Sequence, residues 1–197
     1  MKVLVGLRQE WFTEILNKGT TKETQGKTQV FIPRVGLVVE ASENINLYST
    51  WVKGFQPQGA NIQSDPERYG GPFDYMKSEL HEIGLKTEWF NKRLNATVSV
   101  FKIKQENSLE QSAKAGKPDW RVPVDEESNG FEVDVAGRIA PNWSVVANYA
   151  YTDARIVKLK EEGALKDLNM QRPSTPRHAA NFWTKYIIQK GALEGLG

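Results

Sequence analysis

The chain has 197 residues, 39% of them hydrophobic and 25% charged, with Lys+Arg 26 against Asp+Glu 24 and a formal charge of +2. That apolar content is too high for a disordered tail, and scattered charge of both signs with no basic block argues against a nucleic-acid partner. No window reaches the roughly 18 consecutive apolar residues of a spanning helix, and the lack of cysteine removes disulfide frameworks, thiolate metal sites and thiol catalysis. A spanning β-barrel stays open, because its strands alternate and average out polar. The N-terminus, Met1-Lys2-Val3-Leu4-Val5-Gly6-Leu7-Arg8, has no apolar run that could serve as an export signal, so the sequence reads as cytoplasmic or as a piece of a longer precursor.

The dominant period along the chain is two, the mark of half-buried strands. Val3, Val5, Leu7 and Trp11 oppose Arg8 and Glu10; Val35, Leu37 and Val39 oppose Arg34 and Glu40; Ile45, Leu47 and Trp51 oppose Asn46 and Thr50. Ile83, Leu85 and Trp89 then alternate with Glu82, Lys86 and Glu88. Leu94, Ala96, Val98 and Val100 follow, after which Phe101 and Ile103 take the opposite parity, and a β-bulge near Val100 is the expected reason. Phe131, Val133, Val135 and Ile139 alternate with Glu132, Asp134 and Arg138. The clearest strand runs from Trp143 to Thr152, and a mixed one from about Arg177 to Ile188 closes the set of eight.

Connections between these strands alternate between two kinds. Short turns lie at 41–44, 91–93, 140–142 and 189–191, while long polar loops are expected over about 13–29, 57–78, 107–127 and 157–175. Glu161 to Lys166 could add one helical turn. An antiparallel meander with this rule has all its turns at one end and all its loops at the other, as outer-membrane barrels do. Trp89 and Trp143 sit beside the turns, whereas Trp11, Phe55, Tyr149 and Tyr151 sit nearer the loops, matching two interfacial aromatic girdles. The opposite face carries Glu82, Lys86, Glu88, Glu132, Asp134 and Arg138, and paired signs on neighbouring strands are expected there. The same alternation also fits a soluble eight-stranded barrel or sandwich that binds a small ligand or glycan.

Chemistry-bearing motifs are absent. His81 and His178 stand far apart and outside any metal-ligand spacing, no G-x-S-x-G, P-loop or dinucleotide-binding glycine pattern occurs, and Asp125-Glu126-Glu127 reads as a solvated cluster. No catalytic residue, resident metal or cofactor is therefore expected. The residues best suited to a ligand are large rings and a cation in otherwise polar loops: Tyr69, Phe73 and Tyr75 around Gly70-Gly71-Pro72, and Trp120 beside Arg121. Packing within the loops is the commoner reason for any one such ring.

Certain segments carry a family likeness. Phe31-Ile32-Pro33-Arg34-Val35-Gly36-Leu37 with Ile45-Asn46-Leu47-Tyr48-Ser49-Thr50-Trp51-Val52-Lys53-Gly54-Phe55-Gln56-Pro57 resembles the "PR-x-GL … LY-x-S-x-x-x-x-F-x-P" hairpin of TonB-dependent siderophore receptors. Glu82 to Glu88 with Arg93 to Val98, and Asn129 to Asp134 with Trp143 to Asp153, resemble later hairpins of that family, and Pro176-Arg177-His178-Ala179-Ala180-Asn181-Phe182-Trp183 resembles its "PRH-x-x-N-x-W" strand. The resemblance implies an all-β fold, an antiparallel up-and-down meander of about eight strands that is part of a large transmembrane β-barrel. By this likeness residues 1–197 form a partial barrel domain, about the eleventh to eighteenth strands, with the plug domain and closing strands absent. It further implies a bacterial outer-membrane location and uptake of a ferric siderophore. Outer-membrane lipid is then a partner, and TonB one only through the absent plug.

Overall fold

The computed structural model describes residues 1–17, 21, 23–112, 116–160 and 169–197. Eight strands make one sheet: β1 (Lys2–Leu16), β2 (Thr24–Ser42), β3 (Ile45–Gln56), β4 (Met76–Trp89), β5 (Leu94–Gln111), β6 (Arg121–Ala140), β7 (Trp143–Leu159) and β8 (His178–Tyr186). Their order in space is their order in sequence, and every neighbouring pair is antiparallel. The expected meander, with its tight turns at one end, is therefore the observed one.

The strands are longer than the period-two signal marks them. β1 continues to Leu16 and β2 starts at Thr24, while β5 reaches Gln111 and β6 starts at Arg121, so much of two expected loops is ordered ladder. These extensions are rich in Gln, Thr and Glu, and their few apolar residues, such as Val122 and Val124, turn to a small local core, so no continuous apolar stripe marks them. The helical turn expected at Glu161 to Lys166 lies outside the described residues.

Two short helices interrupt the connection between β3 and β4: α1 (Ala60–Gln63) and α2 (Pro66–Tyr69). Asp65 caps α2 by accepting from the Arg68 N–H at 3.2 Å, Pro66 supplies its fixed φ at the first position, and Gly70 ends the helix at φ 94.

Register assigns the two faces. Val3 lies opposite Leu37, Leu47 opposite Leu85, Val98 opposite Val133 and Val133 opposite Tyr149, so one face is a continuous apolar field. No element among the described residues packs across it, and Leu7, Ile83 and Phe182 are 68%, 60% and 67% exposed. The polar face is the one the loops fold over: Gln63 and Phe73 share a cavity with Phe12, Glu14 and Thr28. A small buried core also lies on that side at the loop end, where Val122, Val124 and Ile156 pack with Trp120 and Leu159. Residues 169–172 run beside β7, with the Arg172 N–H donating to the Ala154 carbonyl at 2.8 Å. This places the Arg172 guanidinium 2.8 Å from Glu126 and against Glu110.

Two expectations about the polar face are corrected. No bulge occurs near Val100, since β5 pairs with β4 and β6 without interruption from Leu94 to Gln105. Phe101 stays inside because Gly130, its partner across the ladder, leaves room: a Cβ there would stand 2.6 Å from the Phe101 ring. The register shift comes later, between Gln105 and Ser108, where Asn107 adopts φ 61. Nor are lumen charges directly opposed. Glu132 faces Ser99 and Ala150, Asp134 faces Thr97 and Asn148, and Lys86 rests over the Tyr48 ring at 5.1 Å. That ring in turn covers Gly84, where a Cβ would overlap it.

The sheet also parts in one place. β2 and β3 pair only between Ser42/Ile45 and Arg34/Val52; beyond that β2 continues with β1 alone and β3 with β4 alone. Rings fill the gap, with Phe55 stacked on Phe12 at 5.6 Å and Tyr75 edge-on to Phe55 at 5.9 Å.

Candidate functional site

The five candidate residues fall into two clusters at the loop end. The first is built around the C-terminus of α2. Tyr69 is its last residue, and the Arg68 guanidinium stacks over the Tyr69 ring at 5.1 Å while pairing with Asp119 at 2.7 Å. Hydrogen bonding to Asp119 also raises the Arg68 pKa above its ordinary value, so this cation is permanent. Trp120 lies across Gly70, where a Cβ would come within 2.6 Å of the indole, and Lys117 stands 4.2 Å over the same ring. Arg68 thus ties the β3–β4 connection to the β5–β6 connection, bringing Tyr69 and Trp120 into one wall.

The second cluster holds Phe73 and Tyr75. Gln63, buried at the end of α1, clamps Phe73 from both sides: its amide donates to the Phe73 carbonyl at 2.7 Å and its oxygen accepts the Phe73 N–H at 2.8 Å. Tyr75 is held by Asn107, whose amide donates to the Tyr75 carbonyl at 3.1 Å. Phe73 and Tyr75 line a cavity of about 120 Å³ with Phe12, Glu14 and Gln58. Rings on two sides and a carboxylate at the rim make an amphipathic recess open to the polar face.

Trp120 and Arg121 separate. Arg121 opens β6 opposite Gln111, and Trp120 already has its carbonyl bonded to the Ser112 N–H at 2.8 Å, so the two residues sit in extended chain where successive side chains alternate faces. Trp120 packs on the buried core while Arg121 takes the other parity, its Nε buried without a hydrogen-bond partner among the described residues. All five candidates are half-buried.

Arg68, Lys117 and Gln63 are the members of this arrangement that sequence reasoning passed over. The Asp65-Pro66-Glu67-Arg68 capping pattern was the available signal for the helix that aims Arg68. Among the described residues no helix is long and apolar enough to cross a membrane, a statement silent on strands, and no group of three His, Asp or Glu side chains could hold a metal ion.

Comparison with known proteins agrees with this architecture. The ferric-pyoverdine M114 receptor PbuA of Pseudomonas sp. (strain M114) is 24% identical over 197 residues, covering 95% of this chain and 23% of that protein. The catecholate siderophore receptor Fiu of Escherichia coli (strain K12) is 29% identical over 184 residues, covering 90% of this chain and 24% of that protein. The chain thus spans about a quarter of the length of these curated relatives. Among solved structures, the unliganded ferric citrate transporter FecA superposes with a TM-score of 0.73 at 19% identity, covering 93% of this chain and 27% of that one. The closed form of Fiu gives 0.69 at 23% identity, covering 93% and 29%. At such identities the superpositions speak for the fold, and they set aside the soluble eight-stranded alternative. The family description "TonB dependent receptor-like, beta-barrel" matches residues 1–197 in full. An uncovered apolar face, turns at one end, loops over the polar face at the other and a family match along its entire length make this chain a member of the TonB-dependent receptor β-barrel family.

Proposed function

We propose that the chain forms a stretch of the wall of an outer-membrane receptor that binds ferric siderophores and admits them to its lumen. The observation that carries this reading is the division of labour between faces: apolar side chains stand bare on one side, while loops, rings and fixed cations gather over the polar side. Lipid is the solvent that suits the first, and a large polar chelate suits the second. β1 and β8 each have one neighbour, and further strands of a wider barrel would satisfy their free edges. Tyr69 and Trp120 with Arg68 and Lys117, and Phe73 with Tyr75, supply aromatic area and positive charge for a bulky anionic ligand. The polar lumen wall below lets it pass, and a plug domain coupled to TonB would supply the energy. This reading is of a receptor and assigns no catalytic step.

Uptake of radioactive iron tests it. A strain deleted for the full-length receptor is supplied in turn with ferric catecholate, ferric citrate and ferric pyoverdine complexes. The expected result is loss of TonB-dependent uptake of one of these classes and its return on complementation. Unchanged uptake across a broad siderophore panel would sink the proposal.

A further inference from the structure

The apolar face does not stay apolar to its end. From β3 to β7 the residues that continue its parity towards the loops are charged, and register sets them directly opposite one another: Lys53 with Glu79, Glu79 with Lys104, Lys104 with Glu127, and Glu127 with Arg155. Charges on a lipid-facing surface are costly within hydrocarbon and belong at the level of the head groups. Alternating signs neutralise most of this row, but its first positions are left incompletely matched. Glu127 is engaged by Lys102 at 2.7 Å and reaches Lys104 only at 3.9 Å. Glu79 accepts from the Trp51 indole at 2.8 Å and lies 2.8 Å from His81. Lys53 and Lys77 make no ion pair among the described residues and rest over the rings of Trp51 and Tyr75, at 5.5 and 5.3 Å.

These lysines meet where β2 and β3 part. A cleft of about 260 Å³ opens there, lined by Lys53, Lys77 and Lys104 together with Phe31 and Phe55 and the carboxylates of Glu79 and Glu106. Phe31 is 56% exposed and shares the parity of the apolar field. The cleft therefore pairs ammonium groups short of partners with an apolar side, and the Tyr75 ring, which lines both, stands between it and the loop recess that would hold a siderophore.

We infer that this cleft seats the phosphate of an outer-leaflet lipid, with Lys53, Lys77 and Lys104 around the phosphate oxygens and an acyl chain along Phe31. A free anion would use the lysines and leave Phe31 in water, whereas a phosphorylated lipid uses both. The inference rests on the outer-membrane reading above and adds a specific lipid site to it.

Native mass spectrometry of the full-length receptor in detergent tests the site, with diphosphoryl lipid A, its dephosphorylated form and inorganic phosphate as probes. Diphosphoryl lipid A is expected to stay bound, and joint replacement Lys53→Gln, Lys77→Gln and Lys104→Gln is expected to weaken it at least tenfold. The dephosphorylated lipid should bind no better to the native receptor than to the variant. Siderophore binding is read on the native receptor in the same detergent, because Lys77 rests over the Tyr75 ring of the loop recess and its replacement touches that site as well. If the triple variant fails to fold as a barrel, judged by heat-dependent electrophoretic mobility, Lys53→Gln and Lys77→Gln singly are each expected to weaken lipid binding several-fold. Equal lipid retention by native and variant receptors, with siderophore binding intact, overturns the lipid site alone. Displacement of the lipid by millimolar inorganic phosphate overturns it too. A receptor that stays monodisperse without detergent overturns the outer-membrane reading, and the lipid site with it.

Discussion

The two faces of this one sheet carry charge and aromatic rings in comparable supply, yet they are finished differently. On the polar face the loop end is roofed: Glu126 is 8% exposed beneath Arg172, Gln63 is buried beneath Phe73, and Trp120 closes over Val122 and Val124. On the other face ion pairs are bare, with Lys102 44% and Arg155 39% exposed, and Leu47, Val98 and Val100 below them are exposed too. What tells the faces apart is therefore less their hydrophobicity than what the chain lays over them. A face left open is built for a solvent the chain does not supply.

The sharpest way to break this comparison is to place a charge on each face at the same height. Val135 and Asp134 are neighbours on β6 with opposite parity. In the full-length receptor refolded into bilayers, Val135→Arg is expected to cost roughly 2–4 kcal/mol by denaturant titration, and Asp134→Arg far less. Equal costs would reverse or void the assignment of faces.

Next in size is the contrast between roofed and bare ion pairs. Arg172→Leu leaves Glu110 and Glu126 facing each other without their cation. Because Arg172 is itself 30% exposed, the expected loss is about 2 kcal/mol, below the roughly 3–5 kcal/mol of a fully buried pair. Arg155→Leu on the open face should stay within about 0.5 kcal/mol. Hydrogen exchange along β6 and β7 would read both, and similar protection in the two variants would mean that the roof adds nothing.

Ligand binding sharpens the comparison further. Joint replacement of Tyr69, Phe73 and Tyr75 by Ala is expected to weaken siderophore binding at least tenfold, about 1.4 kcal/mol, by calorimetry, with barrel assembly unchanged. Full affinity in that variant would move the ligand to other loops or to the plug. The smallest effect belongs to Arg121. Parity turns it away from Trp120, so Arg121→Ala should weaken an anionic chelate only two- to threefold, roughly 0.5 kcal/mol, and a neutral one not at all. A tenfold loss would mean that the guanidinium bends back over the rim.

Sequence made the strands and their order legible wherever one face is apolar, because Val133, Val135, Val145 and Tyr149 leave a stripe that only a strand explains. Past Trp51 on β3 or Val100 on β5 the stripe ends but the ladder continues, since the outward positions there turn to Lys53, Lys102 and Lys104. The charged row of Lys53, Glu79, Lys104, Glu127 and Arg155 was hidden for the same reason: its members lie far apart in sequence and only register aligns them. The Phe101 parity change was visible, but its cause was misread, because nothing local reveals that Gly130 will lie across from it. Of the candidate site, ring types and loop positions were legible. The sorting of Tyr69 with Trp120 depends on Arg68 reaching Asp119, and that of Phe73 with Tyr75 on Gln63 and Asn107 holding their backbones, contacts between residues well apart in the chain.

Tyr48 over Gly84 and Phe101 over Gly130 bear on how wide a passage this wall can border. A ring lying flat on a glycine occupies one layer of side chain, about the depth of a valine, whereas the same ring beside a residue with a Cβ would have to stand upright. Each glycine thus sets how far an aromatic projects from the wall into the bore. Gly84→Ala would push the Tyr48 ring outward from the wall, whereas at Gly130 an added Cβ would strike the Tyr151 carbonyl as well as the Phe101 ring and disturb the ladder itself.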